Sequence, residues 1–182
     1  KHGGVRLGPT EISVDTEFLW VLGLYLAEGS CGTRTVTFSL HRDETEYQER
    51  LFRYFTSLGY KPNIDYPKDK KSAVVRVHST TLAAWLPSWV GTRCDSKSIP
   101  EELMYLPPHK SKALLQGLYD GDGSKGFNEI TQTSRILALQ MMELLYRLEE
   151  QPSVRRQQAE TLTPKGNRRK LAYVVSWARS SK

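Results

Sequence analysis

The sequence predicts an α+β fold in which two pseudo-symmetric halves share one domain. Three observations carry that prediction. First, a motif recurs: Val21-Leu22-Gly23-Leu24-Tyr25-Leu26-Ala27-Glu28-Gly29 returns as Leu115-Gln116-Gly117-Leu118-Tyr119-Asp120-Gly121-Asp122-Gly123. The pattern G-L-Y-x-small-acid-G thus occurs twice, with its acids 94 residues apart. Second, each copy leads into a strand-like run and then an apolar stripe of helical period. Third, each stripe runs into a proline and a hairpin, as expected of an internal repeat.

In chain order, Asp15 can cap the first motif helix, and Val14 and Leu19 can form the hydrophobic staple around its start. A β-rich run, Thr35 to Leu40, follows; Phe127 to Thr133 takes its place in the second half. Tyr47, Leu51, Phe55 and Leu58 then fall at i, i+4, i+8 and i+11, as do Leu137, Met141, Leu145 and Leu148. Each set lines one buried helical face. Strands start at Pro62-Asn63-Ile64 and Pro152-Ser153-Val154, 90 residues apart. Their partners are Ser72 to His78 and Lys170 to Trp177, across turn residues Lys68-Asp69-Lys70 and Pro164-Lys165-Gly166-Asn167. A helix from Thr80 to about Val90 is expected in the first half only. The chain therefore reads as one domain over 1–182, with a first repeat at 11–95, a connector at 96–108 and a second repeat at 109–182. A half of under about 90 residues would be marginal alone.

The small residues of the motifs explain why the two helices should meet. Gly23 and Ala27, like Gly117 and Gly121, sit four apart on one helical face. Side chains that small let two helix backbones approach closely, a steric rule best documented in membranes. Packed side by side and parallel, the helices bring Glu28 and Asp122 out together at their C-terminal ends. That placement is unfavourable in itself. A helix C-terminus is negative, and two neighbouring carboxylates repel until one pKa rises. A divalent cation removes both problems and can use the exposed carbonyls of Ala27 and Gly121. Carboxylates, carbonyls and water make a magnesium-like ligand set. A single acid-glycine pair ending a helix is ordinarily a C-cap; the recurrence behind Gly-Leu-Tyr sets this pair apart. A calcium loop at Asp120-Gly121-Asp122-Gly123-Ser124 is excluded, because Lys125 stands where such a loop needs glycine and Thr131 where it needs glutamate.

The composition is that of a globular protein, 38% hydrophobic and 25% charged. Twenty-six Lys and Arg outweigh 20 Asp and Glu, giving a net charge of +6. A basic balance points to a polyanionic partner such as nucleic acid. No apolar run reaches the length of a membrane span. Lys1 to Thr10 lack the apolar stretch of a signal peptide, so an intracellular location is expected. Cys31 and Cys94 form no CxxC pair and read as free thiols. His2, His41, His78 and His109 show no metal-ligand spacing.

Taken together, these residues resemble the paired LAGLIDADG (dodecapeptide) motifs of two-repeat, monomeric homing endonucleases. Lys97-Ser98-Ile99-Pro100, ahead of the second motif, is similar to the K-x-I-P element of intein-borne members. The resemblance spans about residues 11 to 179. It implies an αββαββα half repeated about a pseudo-twofold axis, with the motif helices as the central seam. Saddle-shaped antiparallel sheets would lie over double-stranded DNA, with strands in the major groove. The last acid of each motif would bind divalent metal, which assigns Glu28 and Asp122. Lys97 would assist the reaction, and Lys125 would be an auxiliary basic residue. The implied activity is a staggered double-strand cut in a long, specific site by phosphodiester hydrolysis. Mg2+ is the implied cofactor, with Mn2+ able to substitute and Ca2+ binding without supporting cleavage. Glu28 stands where aspartate is commoner, and Leu26 replaces a frequent aspartate. The chain ends before a second counterpart of Lys97 could occur, so unequal active centres and faster cleavage of one strand are expected.

The hairpins offer the DNA contacts. In the first half they are Arg34, Thr37, Lys68, Lys70, Lys71, Arg76 and His78; in the second, Arg155, Arg156, Gln157, Gln158, Lys165, Asn167, Arg168, Arg169 and Lys170. Basic and amide side chains suit phosphates and base edges. Alternation puts Arg76 and His78 on one face and Val75 and Val77 on the other. An alternative reading keeps the fold and drops the chemistry, as an RNA maturase or a DNA-binding regulator. A pure regulator is expected to lose the acids, and this chain keeps both. The host element could be an intein or an intron, although Lys1 and Lys182 supply no splicing residues.

Overall fold

The computed structural model describes residues 9, 11–68, 70–124, 126–163 and 166–178, with backbone alone over 159–163 and 166–170. The first half runs α1 (Thr16–Glu28), β1 (Gly29–Cys31), β2 (Thr35–His41), α2 (Thr45–Ser57), β3 (Asn63–Asp65), β4 (Ser72–His78) and α3 (Thr80–Val90). The second runs α4 (Pro108–Asp122), β5 (Glu129–Gln132), α5 (Arg135–Arg147), β6 (Gln151–Thr163) and β7 (Gly166–Ala178). In the place of β1, the described residues of the second half form one bridge, between Gly123 and Ile130.

Each half owns an antiparallel sheet, ordered β1-β2-β4-β3 in the first and β5-β7-β6 in the second. In the first sheet Val36, Phe38 and Leu40 of β2 and Ala73, Val75 and Val77 of β4 point into the core. The alternate residues occupy the opposite face. There Thr35 lies opposite His78 and Thr37 opposite Arg76, which in turn faces Asn63 on β3. The helices cover the apolar face of each sheet through stripes such as Leu51 and Phe55, or Leu137, Met141 and Leu145.

The motif helix α1 is buried on every side, from Phe18 to Leu26. A helix apolar all round belongs inside a core, and here α4 is its neighbour. Asp15 caps α1, accepting from the Phe18 amide at 2.8 Å. Ser79 and Ser134 cap α3 and α5 in the same way, each at 3.2 Å. Among the described residues, no helix is long and apolar enough to cross a membrane.

Two features differ from the sequence expectation. The connector is built into the core: Ile99 is 2% exposed, and the Gln140 amide both accepts from its N–H and donates to its carbonyl, at 2.8 and 2.7 Å. The second hairpin is also longer than its apolar pattern. β6 and β7 each hold 13 residues and pair out to Thr163 and Gly166. Among the described residues, the third strand, β5, pairs with β7 only as far as Gln132 opposite Tyr173. The outer arms pair with each other as a two-stranded ribbon, from Gln157 opposite Ala172 out to Thr163 opposite Gly166.

Candidate metal and DNA site

Close approach of the motif helices rests on three glycines. A Cβ on Gly117 would overlap the Trp20 carbonyl oxygen, and one on Gly23 would overlap that of Leu114. Gly121 meets Ala27, and a Cβ there would also stand 3.3 Å from Glu28 Cγ. The contacts pair N-terminal turns with N-terminal turns and C-terminal with C-terminal, so the helices are parallel and each motif residue faces its repeat counterpart. Glu28 and Asp122 therefore finish side by side.

Both acids are half-buried, and both carboxyls are raised from their ordinary values. Glu28 is pushed up to about 7, chiefly by burial, then by the Asp122 carboxylate and Glu44, against the pull of Lys97. Burial raises Asp122 as well, opposed by a hydrogen bond and by Lys97. That hydrogen bond comes from Gln132 on β5, whose Nε2 donates to Asp122 Oδ2 at 2.6 Å. Among the described residues no third His, Cys, Asp or Glu completes a metal cluster. Two carboxylates suit a magnesium ion, which commonly keeps several waters and takes further oxygens from substrate phosphates. Ala27 and Gly121, expected to offer carbonyls, flank the acids and touch across the seam.

Lys97 lies at the same end of the seam. It is 4% exposed, and its Nζ donates to the carbonyls of Tyr25, Leu26 and Gly29 at 2.7, 3.0 and 2.7 Å. Its three protons are thus spent on the negative end of α1. Burial lowers its pKa to about 8, against the attraction of Asp122 and Glu28 among its neighbours. The backbone of Lys97 is fixed from the second half, where Ser134 Oγ donates to its carbonyl at 2.7 Å.

Asp120, absent from the sequence-based set, is the best-connected carboxylate of the seam. It accepts from Trp20 Nε1 at 2.7 Å, Tyr47 Oη at 3.2 Å and Gln116 Nε2 at 2.6 Å. Gln132 was also missed. Its signal was weak but present: it sits two residues after Ile130, on the same inward face of β5, and is 4% exposed.

The expected DNA contacts fall into three groups. In the first half Arg34, Lys68, Lys70, Lys71 and His78 are exposed, with Thr37 and Arg76 half-buried on the polar sheet face. Arg76 pairs with Asp65, and Thr37 Oγ1 bonds Ser30 Oγ at 2.7 Å. In the second half Arg155, Arg156, Gln157 and Gln158 are exposed, and Arg155 pairs with Glu129 at 3.0 Å. Asn167, Arg168, Arg169 and Lys170 lie on β7 opposite Leu162, Thr161, Glu160 and Ala159. Lys125 and Lys165 lie outside the described residues.

No family model matches the chain. A DNA polymerase of Thermococcus hydrothermalis is 30% identical over 142 residues, covering 72% of this chain and 8% of the polymerase. RNA polymerase subunit Rpo1C of Methanocaldococcus jannaschii is 30% identical over 116 residues, covering 64% of this chain and 13% of the subunit. An iron-sulfur cluster assembly SufBD family protein of Mycobacterium tuberculosis is 30% identical over 151 residues, covering 77% of this chain and 18% of that protein. The chain spans less than a fifth of the length of these relatives. Among solved structures, variants of the homing endonuclease I-DmoI align with a TM-score of 0.65 at 14% identity, over 91% of this chain and 90% of that one. The N-terminal LAGLIDADG domain of DUF199/WhiA aligns with a TM-score of 0.58 at 13% identity, over 91% and 77%. I-DmoI has been solved with DNA and Mn and with DNA and Ca. With its two repeats, parallel motif helices and paired sheets, the chain has the LAGLIDADG fold.

Proposed function

We propose that the chain is a site-specific DNA endonuclease. It would make a staggered double-strand cut in a long target by divalent-metal-dependent phosphodiester hydrolysis. The observation that carries the proposal is the meeting of Glu28 and Asp122 at the ends of the parallel motif helices, between two sheets with polar faces. A half-buried pair of acids at two helix C-termini is destabilising without a cation, and such a cost is characteristic of functional sites. The fold shared with I-DmoI, solved with DNA and divalent metals, supports the same reading.

When bound, the metal would supply Lewis acidity and an activated water. The chain's residues hold and orient. Glu28 and Asp122 present their carboxylates from opposite halves, one toward each scissile phosphate. Gln132 fixes the Asp122 carboxyl through Oδ2. Lys97 compensates the end of α1 that carries Glu28. The polar faces and the long β6–β7 ribbon supply phosphate and base contacts. Both motif helices come from one chain, so the seam is complete in a monomer.

The relatives support a mobile context. A DNA polymerase, an RNA polymerase subunit and an iron-sulfur assembly protein share no activity, yet each matches this chain over a small part of its length. A segment common to such unrelated proteins is not the part that does their work. An inserted element, as an intein would carry, fits that pattern, and homing is the function such an element needs.

Incubating a randomised duplex library with Mg2+ tests the proposal. Site-specific double-strand cuts are expected, lost by at least about 100-fold in both Glu28→Gln and Asp122→Asn. Tight, specific binding without cutting would instead identify a regulator, and cutting that survives both substitutions would exclude these acids.

A further inference from the structure

We propose that Asp120 is a positioning residue that sets the axial register of the two motif helices, and with it the spacing at which Glu28 and Asp122 present their carboxylates. The proposal rests on the endonuclease reading above. Asp120 lies two residues before Asp122 on α4, whereas two of its donors, Trp20 on α1 and Tyr47 on α2, belong to the first half. Those donors are themselves held. The Arg50 guanidinium stacks 3.9 Å from the Trp20 ring and grips Glu17 with two hydrogen bonds of 3.0 and 2.7 Å. Trp20 and Tyr47 rings lie 6.0 Å apart. The network therefore runs Glu17–Arg50–Trp20–Asp120, with Tyr47 joining at the acid.

The rest of the seam explains why such a clasp is needed. Gly23, Gly117 and Gly121 let the backbones touch, but smooth small-residue faces resist sliding poorly because they lack protruding knobs. Hydrogen bonds are directional and weaken steeply when misaligned, so bonds to one carboxylate from two elements of the opposite half resist both slide and rotation. On the pseudo-symmetric side the repeat offsets place Leu26, Leu114 and Leu137, whose buried apolar side chains offer no hydrogen bond. Both Asp120 oxygens already accept hydrogen bonds, Oδ2 from Trp20 and Oδ1 from Tyr47 and Gln116, which suits a brace rather than a third metal ligand. Reacting groups tolerate little displacement, and about 1 Å of misplacement can cost a hundredfold in rate.

The test uses the double variant Trp20→Phe, Tyr47→Phe, which removes both cross-half donors and leaves α4 unchanged, alongside Asp120→Leu. Mn2+ binding to the DNA-free protein is followed by electron paramagnetic resonance. Single-turnover cleavage and DNA affinity in Ca2+ are measured in parallel. Both variants are expected to weaken Mn2+ binding several-fold and to slow cleavage by about 10-fold or more, with DNA affinity held within about twofold. A drop in melting temperature with Mn2+ binding and cleavage unchanged would reduce the clasp to a stability element and overturn the proposal. Wild type that binds Mn2+ but cuts no DNA, with binding lost in the variants, would sink the endonuclease reading and keep the positioning role. Wild type that cuts, with variants binding Mn2+ normally, would sink the positioning role alone.

Discussion

The two sides of the central seam are built from equivalent positions and different chemistry. On one side Trp20, Tyr47 and Asp120 form a polar clasp; on the other their repeat counterparts are Leu114, Leu137 and Leu26. The same contrast appears one step outward. Arg50 grips Glu17 in the first turn of α1, while Gln140, at the equivalent place, grips the backbone of Ile99 ahead of α4. Gln48 is a buried amide that donates to the His41 and Arg42 carbonyls, and its counterpart is the buried Ala138. The two halves share a scaffold, and each solves the same packing problem with its own side chains. What the halves keep in common is the glycine contact, because backbone overlap has no second solution.

That comparison can be broken at the glycines. Gly23→Val and Gly117→Val should each cost more than about 4 kcal/mol and prevent folding, since the new side chain overlaps a backbone carbonyl. Gly32→Ala, where a Cβ has only the Thr35 carbonyl oxygen at 3.9 Å, should stay within about 0.5 kcal/mol. Urea denaturation of the three variants reads the difference, and equal tolerance at Gly23 and Gly32 would contradict the seam.

Exchanging the chemistry across the seam should be asymmetric. Leu26→Asp buries a carboxylate at a site 1% exposed and should cost about 3 kcal/mol or more. Asp120→Leu leaves the Trp20 and Tyr47 donors without an acceptor but adds no charge, at about 1–2 kcal/mol. Tyr47→Phe, which removes one bond of 3.2 Å, should cost about 1 kcal/mol or less. Denaturation midpoints falling in another order would show that the two sides are energetically alike.

The acids sharpen the comparison through pH. Glu28, held at about 7 in the folded chain against 4.5 for the ordinary group, keeps its proton more tightly when folded. Its contribution to stability is therefore full below the unfolded value and is lost as pH rises through about 7. Metal-free protein should gain a few degrees in melting temperature between pH 8 and pH 5.5 from this group, and Glu28→Gln should flatten that gain. Asp122→Asn should lower the Glu28 pKa, measured by carboxyl-carbon NMR, because the Asp122 charge is its second cause. An unmoved Glu28 would place the two acids too far apart to share a metal site.

Much of the architecture was legible because periodicity is a local property. The strand Ser72–His78 and the helix Thr80–Val90 have the limits that their alternation, turns and caps indicate. The repeated Gly-Leu-Tyr pattern located both acids, and its four-residue glycine spacing indicated a close helix pair. The ribbon arms of β6 and β7 extend beyond the sequence expectation, since the residues flanking the turn carry no apolar alternation to read. Asp120 belongs to the second motif, and nothing local says that Trp20 and Tyr47 reach it from 100 and 73 residues away. Lys97 was picked out by resemblance, but the three carbonyls that hold it are supplied by a helix end about 70 residues upstream.

The sequence by itself determined the duplicated α+β plan, the glycine seam and the two acids that end it, because each is written in spacing along the chain. Only the tertiary structure decided which polar groups surround the acid end of that seam. Gln132, Lys97 and the Trp20–Asp120–Tyr47 clasp depend on hydrogen bonds formed in three dimensions, where a side chain's role is set by what the fold brings within about 3 Å of it.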